Sequence, residues 1–268
     1  MTRTRFEPMS PAARPAPPLV APGRITGRLL RGVFLAAAVA LSVGTFALFA
    51  GRPTNDPYQP QRRAMVEQQI VRRGVVQKAV LEAMREVPRH EFVPSSWRSW
   101  SYTDRPLPIG FDQTISQPYI VARMTELLRL DRSSKVLEIG TGSGYHAAVL
   151  SRVAGKVYSM EILQPLADRA RRTLEGLGFD NVQVRVADGY RGWPEEAPFD
   201  AIVLTAAPAE IPQPLLDQLK VGGRMVLPQG TGDIQELLLV TKTAESFERE
   251  RIAAVRFVPM TGEARKER

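Results

Sequence analysis

The sequence contains no cysteine, and its 268 residues include only two histidines, His90 and His146. The first absence removes disulfide scaffolds and thiol nucleophiles. The two together remove any zinc site built on three or four Cys/His ligands, leaving only carboxylate-rich metal sites. Long apolar runs are also absent, apart from residues 33–50. With 44% hydrophobic and 24% charged residues the chain is neither collagen, nor coiled coil, nor wholly disordered, and its length suits one large or two small domains.

What is abundant is positive charge, a net +8. Spread over a folded face it would point to nucleic acid or an acidic membrane surface. It is not spread. Residues 1–60 carry Arg3, Arg5, Arg14, Arg24, Arg28, Arg31 and Arg52 against Glu7 and Asp56, whereas residues 61–268 carry 29 basic and 26 acidic residues, a net of +3. No nucleic-acid partner is expected. Residues 1–23 are rich in Pro, Ala and Arg and are expected to stay disordered. The 18 uncharged residues 33–50 are just long enough to span a membrane, and no Ala-x-Ala cleavage site follows, the nearest candidate being Leu48-Phe49-Ala50. An uncleaved anchor is therefore favoured over a cleaved signal, with membrane contact through this segment. A third option is a chain that begins at Met65 and lacks the segment altogether. The flanking arginines would orient the N-terminus inward and place the rest outside.

From residue 61 onward the pattern is that of a folded domain. Residues 62–85 place Met65, Ile70, Val75, Val80, Leu81 and Met84 among charges, which predicts two amphipathic helices broken at Gly74 and stopped by Pro88. Residues 88–118, full of Pro, Ser and aromatics, read as irregular structure of the kind that carries function. Then a rhythm sets in: helix 117–129, strand 135–140, helix 145–153, strand 156–162, helix 164–176, strands 182–188 and 199–207, helix 212–219, strand 223–230, and two late strands around 236–243 and 254–260. Strands separated by helices predict an α/β fold, a doubly wound and mainly parallel Rossmann-like sheet with an N-terminal helical and loop extension. Ligands of such a sheet sit beyond the carboxyl ends of the strands.

The first of these strands runs into Gly140-Thr141-Gly142-Ser143-Gly144-Tyr145 and then a helix. Glycines let a ligand approach the backbone closely, and a helix start offers unpaired N–H groups. The dinucleotide fingerprint would require glycine where Tyr145 stands, so a nicotinamide enzyme is disfavoured. Three acids sit nearby: Glu138 in the same strand, Glu161 at the end of the second and Asp188 at the end of the third. A carboxylate at the second strand's end suits two ribose hydroxyls, and Asp188 suits an exocyclic adenine amine. Each alone reads equally well as a solvated acid or a cap; three at successive strand ends beside a glycine loop read as a nucleoside site.

Residues 136–151, VLEIGTGSGYHAAVLS, resemble the first motif of S-adenosylmethionine-dependent methyltransferases. More narrowly, residues 62–261 resemble the protein-L-isoaspartate O-methyltransferase family, on VPRHEFVP, LPIGFDQTISQPYIVARMTELL, VADG, FDAIVLTAAP, LKVGGRMVLPQG and FVPMTG. The resemblance implies methyl transfer from S-adenosylmethionine, without metal, to the free carboxylate of L-isoaspartyl residues in damaged proteins and peptides. The ester then closes to a succinimide whose hydrolysis regenerates some normal aspartyl. It implies Ser116 as the active-site residue, Thr114 and Ile115 beside the cofactor, and Glu138, Gly140, Gly142 and Gly144 around its methionine portion. Glu161 would take the ribose, Asp188 and Gly189 the adenine, with Thr261 and residues 258–260 closing over the reactants.

Without that resemblance Ser116, before Gln117-Pro118, would read as a helix N-cap. His90 and His146 read as structural, and Trp97, Trp100 and Tyr102 as core packing rather than a peptide cleft. Two residues depart from the family pattern: Asp112 replaces a glycine beside the site, where it would repel an anionic acceptor or shift preference among acceptors, and Tyr119 stands where some members have histidine. Two other functions fit the same residues: a methyltransferase for another carboxylate or small molecule, and a membrane-tethered cofactor-binding module without turnover. A cytoplasmic, monomeric methyltransferase domain is expected because S-adenosylmethionine is made in the cytosol, with export through residues 33–50 as the alternative.

Overall fold

The computed structural model describes residues 56–265, so the arm, the apolar segment 33–50 and its reading as anchor or signal lie outside the described residues. The folded unit already includes Asp56 and Tyr58: Asp56 accepts from the Tyr58 backbone N–H (2.9 Å) and pairs with Arg62 (2.8 Å). Helix α1 (Gln59–Met65) continues through wider and tighter turns to Arg73 and stops at Gly74, whose φ of +87° only glycine adopts without strain. Helix α2 (Lys78–Glu86) follows, and Val87 and Pro88 end it as expected. Among the described residues no helix is long and apolar enough to cross a membrane.

The stretch read as irregular contains two short 3₁₀ turns and a hairpin that the sequence did not reveal, β1 (Leu107–Gly110) antiparallel to β2 (Gln113–Ile115). Strands of four and three residues with Pro108 inside leave no alternation to detect. The turn residues Phe111 and Asp112 both have φ +55°, a geometry usually built from Asn-Gly. Helix α3 (Pro118–Leu127) then starts with proline in its first turn.

The main sheet comprises β3 (Lys135–Ile139), β4 (Lys156–Glu161), β5 (Val182–Val186), β6 (Phe199–Leu204), β7 (Leu219–Gln229), β8 (Gln235–Lys242) and β9 (Phe247–Val255) in the order β5-β4-β3-β6-β7-β8-β9. The first five are mutually parallel, and β8 and β9 are antiparallel additions at one edge. Alternate residues along β3 enter different cores. Val136 packs with α2, α3, α4 (Tyr145–Val153) and α5 (Gln164–Gly176) on one face, and Leu137 with Trp193 and α6 (Gln213–Asp217) on the other. This is the doubly wound, mainly parallel fold the alternation predicted. The order in which successive strands are laid down reverses between the parallel neighbours β3 and β6, and the crevice at that point is where such sheets bind ligands.

The last predicted strand is displaced. The sheet edge is FERERIAAV at 247–255, whose charges on both faces conceal it, whereas residues 256–260 leave the sheet. Pro259 makes only an isolated bridge with Ala207, and Met260 donates its N–H to the Ala207 carbonyl (2.7 Å), so the tail runs across the carboxyl ends of the strands.

Candidate active site

The loop after β3 is fixed from three sides. Gly140 (φ +97°) and Thr141 both donate to the Met160 carbonyl, and Thr205 Oγ1, at the end of β6, donates to the Gly140 carbonyl (2.6 Å). A Cβ on Gly140 would collide with that Thr205 hydroxyl, so the sequence needs glycine here to let the two strand ends close up. Gly142 donates its N–H to Glu161 Oε2 (2.8 Å), while Glu161 Oε1 accepts from Leu163 N–H (3.0 Å). Asp188 caps the turn Gly189–Arg191 by accepting from Tyr190 N–H (3.0 Å) and, through its other oxygen, accepts from Glu263 N–H (2.8 Å), which clips the C-terminal tail to the site. Each of these carboxylate oxygens keeps a second lone pair for a ligand.

A cavity of about 450 Å³ opens above these ends. Ser116, Thr114, Ile115, Gly140, Gly142, Glu161, Asp188, Gly189 and Thr261 all line it, together with residues 258–260. Two expected residues do not. Gly144 is the left-handed N-cap of α4 (φ +87°), and a Cβ there would press on Ala170 and Leu174 of α5, so its job is helix packing. Glu138 lies fully buried beneath the loop, where Ser159 Oγ donates to it and Thr141 Oγ1 bonds Ser159 in turn (2.6 Å). Burial pushes its carboxyl up to about 8, with the nearby charge of Glu161 adding to the shift and the Ser159 bond opposing it.

Ser116 does not cap α3. The N-cap position falls on Gln117, no side chain caps the helix, and among the described residues the Ser116 hydroxyl bonds no other protein group. Its backbone carbonyl is held by Arg89 Nη2 (2.7 Å). Beside the first cavity lies a wider one of about 1010 Å³, whose walls include Arg73, Tyr119, Ile234 and Phe257. The two share Thr114, Ser116, Thr205, Val258 and Pro259, so Ser116 stands at their common boundary. Tyr119 belongs to the wider groove alone, stacked under the Arg73 guanidinium (3.5 Å). Asp112 sits exposed at the hairpin tip, on the rim of the smaller cavity.

Pattern reading missed Thr205, Arg89 and the cavity-lining part of His146. His146 is more than structural, because its ring lines the cavity while Nε2 bonds Thr125 Oγ1 (3.0 Å). That hydroxyl already donates to the Val121 carbonyl (2.8 Å), so Nε2 carries the proton, and burial drives the imidazole down to about 3, keeping it neutral. A polar residue at the end of a strand beside the crevice was the available signal for Thr205. His90 is structural, stacked on Tyr58 (4.1 Å) and bonded to the Tyr102 hydroxyl (2.7 Å). Trp97 and Tyr102 pack into the core, but Trp100 is exposed beneath Arg105.

Residues 60–265 match the family model described as protein-L-isoaspartate(D-aspartate) O-methyltransferase. The chain belongs to that family. A protein-L-isoaspartate O-methyltransferase of Synechococcus sp. is 55% identical over 213 residues, covering 77% of this chain and 87% of the relative, and one of Gloeobacter violaceus is 55% identical over 204 residues, covering 76% and 100%. Among solved structures, a protein-L-isoaspartate O-methyltransferase superposes with a TM-score of 0.70 at 33% identity, covering 77% of this chain and 67% of that one. A Plasmodium falciparum structure, described as a putative family member in complex with S-adenosyl-L-homocysteine, matches in fold with a TM-score of 0.64 at 24% identity, covering 75% and 98%.

The residues present suit the S-adenosylmethionine that this family uses. A glycine loop that lets the backbone run close beside the cavity, two strand-end carboxylates with free lone pairs, and a cavity within the usual range for small ligands together match a zwitterionic nucleoside. Among the described residues no three His, Asp or Glu side chains converge in a way that would hold a metal ion.

Proposed function

We propose that the chain transfers a methyl group from S-adenosylmethionine to the free carboxylate of L-isoaspartyl residues in damaged proteins and peptides. The observation that carries this reading is the place of Ser116, whose hydroxyl bonds no protein group among the described residues and stands where a nucleoside-sized cavity meets a wider groove. When bound, S-adenosylmethionine supplies a methyl group already activated by its sulfonium. The chain's own work is positioning. The acceptor carboxylate is ionised at neutral pH and needs no base, so holding it in line with the methyl group accounts for most of the available acceleration.

Ser116 donates a hydrogen bond to one acceptor oxygen and so aims the other. Glu161 accepts from the ribose hydroxyls and Asp188 from the adenine amine, while Gly140, Gly142 and Gly189 present backbone close to the ligand. Thr114 and Ile115 separate donor from acceptor, and Thr261 with the tail at 258–260 excludes water. Glu138 and Gly144 act from beneath, by shaping the loop. The reaction takes place on the cytosolic side, where the methyl donor is made, against the outward placement that the arginines before residues 33–50 would give a spanning segment. Mass spectrometry of the mature N-terminus checks this, since a terminus just after residue 50 would indicate export.

The test of function compares an L-isoaspartyl peptide with its normal aspartyl twin in a labelled-methyl assay. Only the former is expected to be labelled, and equal labelling would favour a methyltransferase for other carboxylates. Ser116→Ala is expected to lower kcat/KM by about two orders of magnitude, the usual cost of misplacing a reactant, with affinity for S-adenosylhomocysteine little changed. Undiminished transfer would point to a different acceptor-binding group.

A further inference from the structure

Arg89 is fully buried, in a 3₁₀ turn remote in sequence from every motif that builds the cavity. Its Nε–H donates to the Ser101 carbonyl (2.7 Å) and its Nη2–H to the Ser116 carbonyl (2.7 Å). The guanidinium lies over the ring of Tyr145 (4.7 Å), the cavity-lining residue that opens α4, and among the described residues Nη1 has no hydrogen-bond partner. Among the described residues no carboxylate forms an ion pair with it, and Asp104 acts on it only through its field. Nearby Asp104 pairs with Arg73 (3.0 Å), and Glu91 with Arg98 (3.1 Å). Burial lowers its pKa to about 10, which leaves it cationic at neutral pH.

A buried, unpaired guanidinium is an expensive feature for a fold to keep. The position of this one suggests its use. It ties the carbonyl of Ser116 to the first turn of the helix that follows the glycine loop, so the acceptor-binding residue and the cofactor cradle share one rigid anchor. The charge also lies one residue from where an anionic acceptor must be held, and an acceptor carboxylate is the anion that the protein itself does not provide.

We propose that Arg89 is a positioning residue for methyl transfer, locking the Ser116 backbone so that its hydroxyl meets the acceptor, and lending its unpaired positive charge to the hold on the acceptor carboxylate. This rests on the reading of Ser116 given above. Lysine cannot span both carbonyls, so Arg89→Lys keeps the charge and loses the lock, while Arg89→Met loses both.

The test measures kcat and KM for an L-isoaspartyl peptide, S-adenosylhomocysteine affinity by calorimetry, and thermal stability, for Arg89→Lys, Arg89→Met, Ser116→Ala and the double variant Arg89→Lys/Ser116→Ala. Arg89→Lys is expected to lower kcat/KM about 10-fold and Arg89→Met about 100-fold, with S-adenosylhomocysteine affinity within about 3-fold of the parent. In the Ser116→Ala background the added effect of Arg89→Lys is expected to shrink to about 2-fold, because residues acting through one group are not additive. A merely structural arginine would instead lower stability and cofactor affinity together and multiply with Ser116→Ala, which would overturn the proposal. Should Arg89→Met not fold, Arg89→Lys decides. Impaired Ser116→Ala beside a fully active Arg89→Lys sinks the Arg89 role alone, whereas fully active Ser116→Ala sinks the serine reading and this proposal with it.

Discussion

Glu138 shows how a single carboxyl can serve a site that it does not touch. Oε2 accepts from Ser159, Oε1 has no partner among the described residues, and burial holds the acid protonated until about pH 8. Because the folded pKa lies above the unfolded one, the folded state binds more protons between about pH 4.5 and pH 8, and stability falls as pH rises through that window. Glu138→Gln mimics the protonated form, so it is expected to fold normally and to flatten the decline in Tm between pH 5 and 8, as followed by thermal denaturation at a series of pH values. An equally steep decline in the variant would mean that another group is responsible. The glycines are just as specific by position. Gly140→Ala meets the Thr205 hydroxyl at a φ of +97° and is expected to destabilise by about 2 kcal/mol and to weaken S-adenosylhomocysteine binding at least tenfold, whereas Gly232→Ala, whose Cβ would make only an ordinary contact with the Ile234 carbonyl (3.9 Å), should stay within about 0.5 kcal/mol of the parent.

At the scale of elements, the β1–β2 hairpin is the one whose local conformation opposes its sequence. Phe111 is 56% exposed and left-handed, a backbone that costs a bulky residue about 1–2 kcal/mol. Phe111→Asn, which tolerates that conformation and forfeits little buried surface, is expected to raise Tm by about 2–4 °C in calorimetry. The strained aromatic lines the cavity rim, so the same variant is expected to weaken retention of S-adenosylhomocysteine. The hairpin is also tied to the Rossmann half by Arg169 of α5, which donates to the Ile109 carbonyl, so the N-terminal extension and the sheet close the site jointly.

At the scale of the whole molecule, the N-terminal extension is part of the fold. Arg62 donates to the Arg85 carbonyl (2.6 Å), the Tyr102 hydroxyl (3.2 Å) and Asp56 (2.8 Å), and Tyr58 stacks on His90. A chain begun at Met65 would lose all of these. It is expected to unfold about 4–8 °C below a chain begun before residue 56, since charged hydrogen bonds contribute about 2 kcal/mol in sum and each kcal/mol moves Tm by about 2–4 °C at this size. Equal Tm values would show that residues 56–64 are dispensable.

The strands β3 to β6 and the helices between them were legible because their apolar periods are long and their breaks are marked by glycine or proline. The hairpin was hidden by its brevity and Pro108, and β9 by charges on both faces of a sheet edge. Ser116, Glu161 and Asp188 were legible as motif residues, and the structure brings all three to one cavity. The amino-acid order by itself determined the parallel sheet, the glycine loop and the absence of thiol chemistry, since each depends on residue type and local spacing. Only the tertiary structure decided that Glu138 lies beneath the loop, that Ser116 leaves its helix uncapped and that Arg89, 27 positions earlier, holds its carbonyl. Those facts depend on which distant segments are packed together, and burial, not sequence spacing, sets whether a charge there is solvated, neutralised or kept for an incoming ligand.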